Sequence, residues 1–123
     1  MKKTENYALP QWEASDTVKR ADVNAAMTAI EGALAECAHV VAGVYRGDGA
    51  ASRTIDLGFK PKAVLVMDGG YSLKNGSNTN GGLAVTGRDS LAVSLSDNGF
   101  TVVQQNYYCT NSLNINYHYL AFH

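Results

Sequence analysis

The side chains best able to make or break bonds are few here, and their spacing argues against such chemistry. His39, His118 and His123 are the only imidazoles. General-base catalysis needs a histidine oriented by a carboxylate or set beside a nucleophile, and a zinc site needs His and Cys at short fixed spacings. No Asp or Glu lies close in sequence to His118 or His123, and neither H-x-x-x-H nor C-x-x-C occurs. A three-fold assembly could gather copies of His118 or His123 around a metal on its axis. That idea rests on symmetry alone, so no metal or other cofactor is expected. Past residue 38 the acids are Asp48, Asp56, Asp68, Asp89 and Asp97, each at an expected turn or strand end. Aspartates there close Asx-turns, whereas glycoside hydrolysis needs two carboxylates across a cleft. Gly47-Asp48-Gly49 and Gly69-Gly70 lack the Lys-Ser/Thr or G-x-G-x-x-G context of a phosphate loop. Cys37 and Cys109 are expected to be reduced thiols. The expectation is a protein that is not an enzyme.

Binding chemistry is better represented. After Asp97 the chain carries no Asp, Glu, Lys or Arg, and its polarity comes from amides and hydroxyls interleaved with Phe100, Tyr107, Tyr108, Tyr117, Tyr119 and Phe122. Tyrosine and amide side chains make flat, adaptable contact surfaces at low entropic cost. Sugars suit them, with ring C–H faces on aromatics and hydroxyls on amides; so does subunit packing, which avoids desolvating ions. A long Gly/Asn/Ser/Thr loop over 68–82 is the second candidate, since long loops in compact domains are often functional. The expected ligand contacts are Tyr71, Lys74, Asn75, Asn78 and Asn80 in that loop, with Tyr107, Tyr108 and Asn111 in the later one.

Two kinds of element must position these loops. Val23, Met27, Ile30, Leu34, Cys37 and Val41 are separated by 4, 3, 4, 3 and 4 residues, a heptad seam. Ala26 and Ala33 beside it favour close helix approach, and Asp22 is the expected helix cap. A seam this short is marginal alone, so it needs symmetry mates or the rest of the chain. Residues 1–14 read as an extended arm whose Trp12 packs on a neighbour, with Ser15 or Asp16 capping a short helical turn. From residue 39 the period drops to two. Strands are expected over 39–45, 53–57, 62–67, 83–86, 90–96, 100–105 and 113–122, with Asn98-Gly99 as a hairpin turn. The run Ala63-Val64-Leu65-Val66-Met67 reads as a strand buried on both faces. The fold class is therefore mainly β: arm and short heptad helix (1–38), then an antiparallel β-sandwich head (39–123), in a homotrimer.

The 123 residues and the 46% hydrophobic content allow one core plus an appendage. A net charge of −1 gives no excess to neutralise phosphates, so nucleic acid is not an expected partner. Met1-Lys2-Lys3 is followed by Thr4-Glu5-Asn6 with no apolar signal-peptide core, and no run is long enough to span a membrane. Synthesis in the cytoplasm without a signal peptide is expected.

Residues 7–35, with Leu9-Pro10-Gln11-Trp12, Ser15-Asp16, Val18, Asp22-Val23-Asn24 and Ile30, resemble the N-terminal segment of phage and prophage tail proteins. In that family Asp-Phe-Asn opens the helix; Val23 replaces the Phe here. Gly43-Val44-Tyr45-Arg46-Gly47-Asp48-Gly49, the stretch Arg53–Val66 and the closing Tyr117-His118-Tyr119-Leu120-Ala121-Phe122 are similar to tail-fibre heads. The resemblance implies a virion component in the tail of a phage or phage-derived particle. It implies a homotrimer docked by its N-terminal region to a tail or baseplate protein, with a head that binds a bacterial surface component, expected to be a glycan. Trp12, Val23, Met27, Ile30, Leu34, Cys37 and Val41 are the expected trimer contacts. The alternatives are a tail or baseplate connector whose head binds another particle protein, and a free carbohydrate-binding lectin.

Overall fold

A computed structural model describes residues 1–37 and 39–123. The expected domain boundary at residue 38 lies outside the described residues. The chain forms two compact units, Met1–Cys37 and Ala38–His123. Among the described residues it is mainly β, with one helix and several antiparallel sheets.

The first unit is a hairpin and a helix. The expected arm instead pairs β1 (Lys2–Lys3) with β2 (Pro10–Gln11). Thr4 closes the hairpin by accepting from Leu9 N at its hydroxyl (2.8 Å) and donating its own N–H to Leu9 O (2.8 Å). No helical turn forms at residues 15–16. Asp16 accepts the Glu13 N–H (2.8 Å) and pairs with the α-amino group of Met1 (3.4 Å), closing a turn. Helix α1 (Arg20–Glu36) starts earlier than expected: its N-cap is Lys19, without a side-chain capping bond. Asp22 lies inside the first turn, where a carboxylate meets the positive helix end.

The helix also stops earlier. Cys37 is extended and caps it, with its N–H on Leu34 O (3.2 Å). Val41 therefore does not continue the seam. It lies in β3 (Val40–Arg46), because pairing with β12 (Asn116–Phe122) claims that β-branched run. No helix residue is buried. The hairpin lies along the small-residue stripe of Ala25, Ala26 and Ala29, so Ala26 and Ala33 are half-covered within their own chain. The neighbouring stripe stays open: Met27 is 60% exposed and Leu34 68%.

The second unit holds two sheets around one core. One sheet has the order β3-β12-β5-β8, with β5 (Ala63–Asp68) and β8 (Gly82–Val85). The other runs β4-β10-β11-β7-β6, with β9 (Val93–Ser96) also on β10 (Gly99–Gln105). Its remaining strands are β4 (Ser52–Asp56), β6 (Lys74–Asn75), β7 (Asn78–Thr79) and β11 (Tyr108–Cys109). The core takes Tyr45, Val64, Val66, Ala84, Tyr117 and Ala121 from the first sheet, and Val93, Phe100 and Val102 from the second. Period-two alternation makes this possible, since alternate side chains of β5, β10 and β12 turn inward.

Some boundaries moved. Gly99 opposes Ser96, so the hairpin turn is Asp97-Asn98 and Gly99 is already in its strand. A side chain on Gly99 would meet the Ile55 carbonyl, which explains the glycine there. Leu113 and Ile115 precede β12 and are exposed. The 112–115 segment instead wraps Gly47, whose N–H donates to Ile115 O (2.8 Å) and whose carbonyl accepts from Asn114 N (2.9 Å).

Candidate binding surface

Asp68, at the end of β5, organises the long loop. Its Oδ1 accepts from the N–H groups of Gly70 (3.0 Å) and Ser72 (2.9 Å), and its Oδ2 from the Asn80 amide (3.1 Å). One carboxylate thus ties the loop's start to its end. Burial alone would raise its pKa, but the hydrogen bonds from Ser72, Asn80 and Gly70 outweigh that and hold it below the usual 3.8. Asp48 and Asp56 make the same i+2 contact to the N–H of Ala50 (2.9 Å) and Gly58 (2.8 Å), as Asx-turns require.

The middle of the loop is the hairpin β6–β7, turned by Gly76 at φ +62°. Beyond it, the Thr79 N–H donates to Tyr107 O (2.7 Å), and Thr79 pairs with Tyr108 in parallel. The two loops expected to bind ligand are therefore joined edge to edge. Lys74, Asn75, Asn78 and Tyr107 are exposed on this joint platform. Gly81 sets its height, because a side chain there would meet the Val66 carbonyl.

Three expected contacts have other work. Asn80 is half-buried and spends its amide on Asp68. Tyr108 is half-buried against the core. Asn111 is fully buried and is not a ligand contact: its Nδ2 donates to Asp48 Oδ1 (2.6 Å) and Ala50 O (3.1 Å), and its Oδ1 accepts from Asp48 N (3.2 Å). Amide-rich sequence does not distinguish a binding loop from a buried one whose amides satisfy the backbone. Thr110, also fully buried, donates its hydroxyl to Ala92 O (2.7 Å) and accepts the Val103 N–H (2.9 Å). The Ala50 N–H and the Asn111 amide hold the Asp48 carboxyl below its usual range, with Arg53 adding to the effect.

Tyr71 faces elsewhere. It sits at φ +57°, an uncommon conformation for a bulky side chain. Its ring stacks on His118 at 4.8 Å. Together they flank a shallow trough of about 430 Å³ on the first sheet, lined by Ala42, Val44, Leu65, Met67 and Leu120. The sequence reading missed this trough, although the uninterrupted apolar run 63–67 was its signal. The other histidines are not beside His118: the His39 and His123 rings meet edge-on at 6.4 Å, and Phe59 stacks on His123 at 4.4 Å.

In the first unit, Tyr7, Leu9, Ile30, Ala33, Leu34 and Cys37 line an apolar hollow of about 240 Å³. Trp12 is half-buried, and its indole N–H is buried without a partner. Of the expected trimer contacts, Val23 is half-buried, Met27, Ile30 and Leu34 are exposed, and Cys37 is an exposed thiol at the helix end.

No family model, curated protein or solved structure matches this chain.

The lowered pKa of Asp68 sets a pH dependence for the loop. A carboxylate whose folded pKa lies below its unfolded one stabilises the fold above the unfolded value, and that stabilisation is lost as pH falls through the folded value. Acidification below the ordinary 3.8 is therefore expected to release the Gly70 and Ser72 N–H groups. Amide exchange at those residues is expected to speed up before exchange in β10 or β12 does. Equal protection at both would contradict the assignment.

Proposed function

We propose that this chain is a non-enzymatic attachment protein of the phage tail-fibre kind: a homotrimer whose β-sandwich heads bind a bacterial surface glycan. The observation that carries the reading is the joint platform of β6, β7 and β11. It unites the two loops whose residue types suit sugars, and it exposes Tyr107 beside a run of amides. An exposed aromatic with flanking amides matches the alternation of apolar ring faces and hydroxyls on a saccharide. The open stripe of α1 supports assembly, since Met27 and Leu34 remain largely in water within the first unit and Ile30 partly so. Cytoplasmic synthesis and incorporation into a virion tail or phage-like particle, through the N-terminal unit, belong to the same reading.

Alanine at Lys74, Asn75, Asn78 and Tyr107 together tests it. Loss of labelled protein from bacterial cells, with folding and mass unchanged, is the expected result. These side chains are exposed, so the effect on stability is expected to stay within about 0.5 kcal/mol per site. Unaltered adsorption, or binding of the wild-type chain to particle components only, would overturn the reading in favour of a connector.

A further inference from the structure

The outer faces of the two head sheets differ in kind. On the second sheet, the residues pointing away from the core are mostly hydroxyl-bearing, among them Ser52, Thr54, Ser94 and Thr101, beside Val103. Thr54 and Thr101 share a hydrogen bond across it (3.1 Å). That is the polar face expected where an antiparallel sheet meets water. The first sheet does the opposite. Its outward residues pair as Val44–His118–Met67 and Ala42–Leu120–Leu65–Leu83 across the strands. Val44 is 57% exposed, Leu83 52% and Leu120 38%.

The sequence of β5 is that of a strand covered on both sides, yet within the second unit only one side is covered. Val40 is 54% exposed, Val85 38% and Tyr71 68%, so the apolar stretch continues to both ends of this face. A contiguous exposed apolar face of this kind marks an interaction site. The rows across its middle carry no charged side chain, and its polar members His118 and Tyr71 stack on each other. Copies of such a face can converge on the three-fold axis of the proposed trimer without burying an unpaired ion.

We infer that this sheet face is the head-to-head interface between copies of the chain, with Val44, Leu65, Leu83 and Leu120 at its centre. The inference rests on the oligomeric reading above and gives it a location outside the helix. The Tyr71 end of the long loop then lies at the joint between copies, while the platform at Lys74–Asn78 is left to other partners.

Sedimentation of the full chain carrying Val44→Glu, and separately Leu120→Glu, tests it. Both side chains stand outside the core, and circular dichroism verifies the fold. Val44→Glu, on an edge strand, carries the test if Leu120→Glu misfolds. A charge placed in an apolar contact is expected to weaken assembly by about 100-fold or more. Leu34→Glu separates the two readings. If it alone dissociates the oligomer while the sheet variants keep wild-type mass, the oligomer stands and the sheet-face interface falls. A wild-type chain that sediments as a monomer overturns both.

Discussion

Val44→Glu combined with Leu120→Glu is expected to lower retention on bacterial cells by about 10²–10⁴-fold, although neither residue lies in the platform loops. Linked heads rebind before they all release, so avidity multiplies a weak single-site affinity without any new contact. Separating the copies removes that factor and leaves each platform as it was. The loss is expected in the dissociation rate, since encounter with the surface depends little on the number of heads. Washing time-courses of labelled protein on cells measure this directly. A monomeric double variant retained as long as the wild type would mean that one head suffices.

Tyr117→Ala is expected to cost about 3–5 kcal/mol, a large share of the 5–15 kcal/mol that holds an ordinary domain. Tyr117 is 1% exposed and stacks on Tyr45 with ring centroids 5.1 Å apart. Its hydroxyl donates to Cys109 O (2.7 Å) and accepts the Ser112 N–H (3.1 Å). Tyr45 donates in parallel to Thr110 O (2.6 Å), and burial pushes its phenol well above the usual range. The two rings fill the core while their hydroxyls anchor the buried 109–111 segment and the half-buried Ser112 after it. Tyr117→Phe keeps the ring and strands the Ser112 N–H, so it is expected to cost about 1–3 kcal/mol. Urea denaturation of the pair separates packing from hydrogen bonding. A Phe variant as damaged as the Ala variant would shift the weight from the ring to the anchor.

Much of the head was legible from alternation. Phe100 and Val102 in β10, and Tyr117 and Ala121 in β12, face the core because every second residue must. The helix was legible from its heptad spacing, but its end was not. Val41 reads both as the last seam position and as part of the strand expected over 39–45, and its pairing with Ala121 at the far end of the sequence decides for the strand. Asn111 was misread for a related reason. Its buried role depends on Asp48 and Ala50, more than sixty positions earlier, and loop composition carries no trace of that pairing. The joining of the two loops through Thr79 and Tyr108 is equally long-range. The apolar run 63–67 reads as a strand buried on both faces, but within the second unit only Val64 and Val66 are buried while Ala63, Leu65 and Met67 are half-exposed, and that difference is what directs attention to assembly.

The mass of the purified chain in solution, by light scattering across micromolar concentrations, tests this account most directly. Three times the 13.1 kDa of one chain is the expected value. A mass of 13.1 kDa that persists as concentration rises would contradict it, because the exposed stripe of α1 and the apolar sheet face would then have no partner copy.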